Sequence, residues 1–242
     1  MASAGLGRAP LCAGEAPASV VNVRLPEWES DTRSRILTSA VEHYGNGGFG
    51  VGLRAIAADA GVTAAAVLKH FGSKEGLRKA CDETVIATVS EYKSEAMTSP
   101  DFRGSALTAM ASLDEYQPLV RYIIRCILDG GETARDFLTD MHAHALEWMR
   151  QGVESGHLRP SRDERLRVKL GFSISIGWMV QSVIMAGRPL ADLDAAFWTS
   201  CTEEMMLPTL ELYTQGMLTD TAVFDDYLAH LDATPGSGID DR

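Results

Sequence analysis

Cysteine is scarce, with four residues in 242, and none of Cys12, Cys81, Cys126 and Cys201 stands in a C-x-x-C pair. Thiols so widely spaced offer neither the framework of a disulfide-stapled domain nor a tetrahedral zinc site, and they read as buried free thiols. The chain also lacks a Gly-rich phosphate loop, a G-x-S-x-G, an H-E-x-x-H and any informative Cys/His spacing, so the usual sequence marks of an enzyme are missing. His142 and His144 do not supply one, because residues two apart on a helix do not share a face. No cofactor is expected. Sustained period-two alternation is absent too, which argues against a sheet-based fold. The longest apolar run, around Gly171–Ile184, is interrupted by Ser, Gly and Gln. It falls short of the roughly 18 residues a spanning helix needs, and the expectation is a chain that does not cross a membrane. Residues 1–28 are rich in Ala, Gly and Pro without the basic start and apolar stretch of a signal peptide. They are expected to form a disordered arm on a cytoplasmic protein.

What is present is an ordinary globular composition, 45% hydrophobic and 23% charged, in a chain long enough to bury a core. The formal net charge of −11 looks unsuited to nucleic acid, but it is unevenly spread. Residues 31–80 carry seven basic and four acidic side chains, a balance of +3, whereas residues 81–242 stand at −13. A small basic module on a large acidic one is the asymmetry of a polyanion-binding head.

Helical spacing dominates. Glu29-Ser30-Asp31 supplies N-cap residues, and Ile36, Leu37, Ala40, Val41 and Tyr44 then recur at helical spacing until the glycines of 45–48. Leu53, Ile56, Ala57 and Ala60 mark a short second helix ending at Gly61. Thr63 caps a third with Ala66, Val67 and His70 or Phe71 on one face, and Ser73 caps a fourth. Two short helices joined by Gly61-Val62-Thr63 make the pattern of a helix-turn-helix unit. Further helices are expected at about 74–97, 104–113, 117–128, 132–156, 163–187, 191–215 and 220–232, with Pro208 kinking or interrupting the segment that holds it. The fold class is all-α.

The residues Arg35-Ile-Leu through Phe49, followed by RAIAADAGVTAAAVLKHFGSKEGL from Arg54 to Leu77, resemble the DNA-binding domain of the TetR family of bacterial transcriptional regulators. Ile56-Ala57, Ala60-Gly61-Val62-Thr63, His70-Phe71 and Ser73-Lys74-Glu75 with Leu77 fall in order at the family's spacing. The resemblance implies an N-terminal three-helix head joined to a larger helical domain that binds an effector and dimerises. Residues 1–28 would then be the arm, 29–76 the DNA-binding domain, 77–232 the effector-binding and dimerisation domain, and 233–242 a disordered tail. It further implies a homodimer on a near-palindromic double-stranded DNA operator, probing successive major grooves. Most members are repressors released by a small molecule, here expected to be hydrophobic, and control of a drug-efflux transporter fits. Two positions depart from the pattern: Leu68 stands where the family usually has a Tyr that bonds a phosphate, and Gly52 where a Ser or Thr often caps the second helix.

Within that frame, Thr63 offers its hydroxyl and nearby backbone N–H groups to a phosphate at a helix N-terminus. Ala64, Ala65 and Lys69 face the major groove or its rim, where alanine methyls can meet thymine methyls. Lys69, Arg54 and Lys74 are the expected phosphate partners. His70 is either a packing residue or a DNA contact, and Phe71 belongs to the core. The effector pocket is expected among Tyr122, Met141, Trp148, Met149, Trp178, Met179 and Met185, because thioethers and aromatic rings adapt to bulky apolar molecules. The alternative is a helical small-molecule-binding protein or hydrolase in which the hairpin of residues 31–80 is merely structural.

Overall fold

The computed structural model describes residues 31–105 and 116–233, which hold helices and turns with no strand among them. The arm at 1–28, Cys12, most of the helix expected at 104–113 and nearly all of the tail lie outside the described residues. Two compact units are present, one running to Gly171 and the other from Phe172 onward.

In the first unit, α1 (Thr32–Gly47) starts where the Asp31 carboxylate accepts from the Arg33 N–H at 3.3 Å. It buries the expected apolar stripe: Ile36, Ala40, Val41 and Tyr44 are fully enclosed. Helix α2 (Leu53–Asp59) begins at Gly52 without any side-chain cap, and α3 spans Ala64–Phe71. Between them Gly61 takes φ +66°, a left-handed turn residue that bulkier side chains resist, and the Val62 N–H reaches the Ala57 carbonyl at 2.8 Å. The Ser39 hydroxyl donates to the Ile56 carbonyl at 3.0 Å, tying α1 to α2. With Ile36, Ile56 and Val67 at 0% exposure, the three helices share one small core.

Helix α4 (Lys74–Thr98) is capped by the Ser73 hydroxyl, which accepts from the Gly76 N–H at 2.9 Å. It packs on α6 (Gly131–Glu154), while α5 (Gln117–Asp129) packs on α1. Polar groups lace this interior. The Tyr122 hydroxyl donates to Asp82 Oδ1 at 2.6 Å, Arg78 Nε lies 3.9 Å from Asp82 Oδ2, and Arg78 Nη2 donates to the Cys126 sulfur at 3.4 Å. The Arg78 guanidinium sits 3.1 Å from the centroid of the Phe49 ring. Burial pushes the Asp82 carboxyl up from its ordinary range, against the opposing pull of the Tyr122 hydrogen bond and Arg78. Burial likewise raises the Tyr44 phenol to about 12 and the Cys126 thiol to about 11. At the end of α1, Arg121 Nη1 donates to Asn46 Oδ1 at 3.1 Å and Arg125 Nη2 to the Asn46 carbonyl at 3.2 Å.

Helix α7 (Glu164–Ala186) runs 23 residues and contains an 18-residue window of mean hydropathy 1.4, of which only 11% is buried. This corrects the reading of Gly171–Ile184 as too short to span. The interrupting Gly and Ser residues continue the helix instead of ending it, so by length and composition alone it passes the spanning test. In the second unit the segment expected as one helix over 191–215 also differs. Leu190–Asp192 form a 3₁₀ turn, and α8 (Ala195–Thr214) starts only where Asp194 Oδ1 accepts the Phe197 N–H at 3.0 Å. Pro208 does not interrupt α8; it lies on the exposed side, where the backbone acceptor it orphans can meet water. The Trp178 indole donates to the Cys201 carbonyl at 2.8 Å, and Leu190, Leu193, Trp198 and Cys201 are enclosed nearby. Helix α9 (Ala222–Ala233) buries no residue. Cys81, Cys126 and Cys201 are buried free thiols, as expected.

Candidate nucleic-acid interface

The geometry of α3 follows from its eight residues. At about 100° per residue, Val67 and Phe71 fall on one side and Ala65 and Lys69 on the opposite side, with Ala64 and Leu68 on the flank between them. The inner side is committed: Val67 is fully buried against the head core. The outer side is free, with Ala65 and Lys69 exposed, Ala64 half-buried at its edge, and Leu68 showing 44% of its surface. His70 is also exposed, on a flank, its ring 6.3 Å from that of Phe71. Phe71, expected as core, is only half-buried, because its outer face is covered by the Arg33 guanidinium at 4.7 Å instead of by apolar groups.

Thr63 occupies the N-cap of α3 and is exposed. Its Oγ1 accepts the Ala66 N–H at 3.1 Å, which leaves the hydroxyl proton available to an external acceptor. The backbone N–H groups of the first helical turn have no carbonyl partner within the helix, so the same end presents donors and the positive end of the dipole. Arg54 stands exposed in the first turn of α2, and Lys74 is half-buried in the first turn of α4. Thr63, Ala65 and Lys69 are all exposed, the first at the cap of α3 and the other two along it. The sequence signal for the exposure of Leu68 was available in the helical spacing, since it falls between Ala64 and Ala65 in projection.

The residues expected around an effector divide between the two units. Tyr122 and Met141 are buried in the first, where the Tyr122 hydroxyl is spent on Asp82; Trp148 and Met149 are half-buried on α6. In the second, Trp178 and Met185 line an open groove of about 510 Å³ with Gln181, Arg188, Phe197 and Glu204, and Met179 adjoins it through a 3.5 Å contact with the Cys201 sulfur. Polar residues make up much of that lining, which the expectation of an apolar pocket did not include.

A three-helix head with an outward helix held across a glycine turn, followed by a larger helical region, is the architecture of a helix-turn-helix regulator. Residues 36–81 match the family model for bacterial regulatory proteins of the tetR family, and residues 114–219 match the Tetracyclin repressor-like C-terminal domain. The chain belongs to the TetR family of bacterial transcriptional regulators. It is 42% identical over 196 residues to the HTH-type transcriptional regulatory protein RaaS of Mycobacterium tuberculosis, covering 81% of this chain and 91% of that protein. Its fold is similar to that of a TetR-family regulator from Rhodococcus sp., at 17% identity, 76% and 98% coverage of the two chains and a TM-score of 0.54. It is also similar to that of SmeT, the repressor of the Stenotrophomonas maltophilia multidrug efflux pump SmeDEF, at 20% identity, 78% and 94% coverage and a TM-score of 0.52.

Proposed function

We propose that this regulator is a homodimeric repressor that holds a near-palindromic operator with one α2–turn–α3 unit per copy and releases it when a small hydrophobic effector binds. The observation that carries the DNA-binding part is the exposed edge of α3, where Thr63 caps the helix with a proton to spare and Lys69 follows on the outer side. Thr63, Arg54, Lys69 and Lys74 serve as phosphate partners, Ala64 and Ala65 approach the base edges, and His70 borders the groove. The apolar surface left in water supports the dimer. Leu170, Ile184 and Met185 on α7 are 61%, 64% and 84% exposed, and Leu207 and Tyr213 on α8 are 74% and 59% exposed. Two α3 helices reading successive major grooves of a near-palindrome stand roughly 34–36 Å apart, one turn of duplex, the spacing a two-fold dimer has to meet.

For the effector, the Met and Trp side chains of the second unit offer adaptable surface, with Arg188 and Glu204 available to orient a polar end. Release requires the effector to bind the DNA-incompetent arrangement more tightly, by about 1–3 kcal/mol of coupling, or 5–150-fold in operator affinity. A gene for an efflux transporter of bulky apolar molecules is the proposed target, and the cytoplasm the proposed place of action. The test is an electrophoretic shift of DNA from beside its own gene, with and without hydrophobic compounds. Failure to retard that DNA at low salt removes the DNA-binding reading. Retardation that no bound compound reverses removes the release mechanism.

A further inference from the structure

We infer that Leu68 makes this regulator a reader of thymine methyl groups, so that each half-site carries thymine where the middle of α3 lies over the major groove. The inference rests on the DNA-binding reading above and names the base chemistry that α3 can recognise. In a helix-turn-helix the residues near the start of the second helix meet the base edges. Reading those edges by hydrogen bonds takes Arg, Lys, Asn, Gln, Asp, Glu, Ser or Thr. From Ala64 to Leu68 the helix carries three alanines, a valine and a leucine, and no side-chain polar atom. Val67 is turned inward and fully buried, so Ala64, Ala65, Ala66 and Leu68 are the side chains this stretch can present, and only Leu68 among them is larger than a methyl group. The polar groups of α3 stand at its two ends. Thr63 is at the cap with its oxygen engaged by the Ala66 N–H, while Lys69 and His70 lie in the last turn.

The one apolar group on the major-groove edge of the natural base pairs is the C5 methyl of thymine. Leu68 matches it in position and chemistry. It is a large aliphatic side chain with 44% of its surface in water, on the flank of the helix between Ala64 and Ala65, both too small to hold the backbone away from the groove. Lys69, next in sequence and exposed, supplies the cation that keeps the helix at the phosphate rim. An apolar contact flanked by a phosphate anchor selects methylated pyrimidine edges without a hydrogen bond to any base.

The test uses the full-length chain and the duplex from beside its own gene, with each thymine replaced in turn by deoxyuridine, which keeps the hydrogen-bonding edge and removes only the methyl. One or two positions per half-site should weaken binding about fourfold each, the effect of one buried methyl. In L68A the same positions should become indifferent to the replacement, while L68M keeps the response. Leu68 is 44% exposed, so both variants should remain folded at the assay temperature, which thermal melts beside the parent check and which separates a contact effect from unfolding. Tight binding that ignores deoxyuridine at every thymine, or an unchanged response in L68A, overturns the inference and leaves DNA binding intact. Absence of retardation of any duplex overturns both.

Discussion

The buried pair of Tyr122 and Asp82 allows a quantitative forecast for Tyr122→Phe. The phenol oxygen lies 2.6 Å from Asp82 Oδ1, and the Asp82 and Arg78 side chains are only 16% and 19% exposed. A hydrogen bond to a charged group in such a place contributes about 1.5–3 kcal/mol, and removing the donor leaves the carboxylate short of one partner without opening a cavity. For a domain of this size that corresponds to a fall in Tm of about 3–12 °C. The deficit should depend on pH, in a direction fixed by the shift. Burial raises the folded-state value of Asp82 above that of the unfolded chain, so stability contributed by this group is complete below the unfolded value and is lost as pH rises through the folded value. Tyr122 lowers the folded value by favouring the carboxylate. In the phenylalanine variant that value climbs further, and the loss on raising pH is larger. The gap between parent and variant should therefore widen from acid toward neutral pH and then level off. Thermal melts followed by circular dichroism at several pH values between about 4 and 8 measure it. A gap that is absent, or that stays constant across that range, would refute an ionised Asp82 held by the phenol.

Three further outcomes are expected. Gly76→Ala would press a methyl into the Phe71 carbonyl oxygen, a contact that backbone must yield to; a loss of about 1–3 kcal/mol should appear in denaturant melts, whereas Gly50→Ala, with open space around it, should be silent. Lys69→Ala should weaken binding to all duplexes alike and reduce the slope of log K against log salt by about 0.9 per half-site, read from shift assays at several salt concentrations. Ile184→Asp, at a position 64% exposed in the single chain, should leave the circular dichroism spectrum unchanged and shift sedimentation from dimer to monomer.

The head was legible because local chemistry decides it. Asp31, Thr63 and Ser73 each bond a backbone N–H at the start of a helix, and the turn glycine at 61 has the positive φ that its place requires. Such contacts span two or three residues and leave direct marks in sequence. The break before α8 escaped because Leu190–Asp192 are apolar enough to extend a helical stripe, and only the cap at Asp194 marks the true start. Among candidate site residues, the exposed edge of α3 followed from its period. The role of Tyr122 did not, because its partner Asp82 lies 40 positions away and a phenol on an apolar stripe gives no hint of a buried carboxylate. The cover of Phe71 by Arg33, 38 residues earlier, was hidden for the same reason.

Arg121 and Arg125 clasp the last turn of α1 from α5, one through the Asn46 amide and the other through its carbonyl. This clasp lies across the seam where the family's N-terminal module, ending at residue 81, would be cut for exchange with another regulator. A chimera carrying this head would have a first helix whose carboxyl end had lost its keeper, and the reciprocal chimera an arginine pair facing a foreign surface. Grafts meant to retarget this regulator should therefore exchange only the outward positions of α3 and leave the helical scaffold beneath them in its original company.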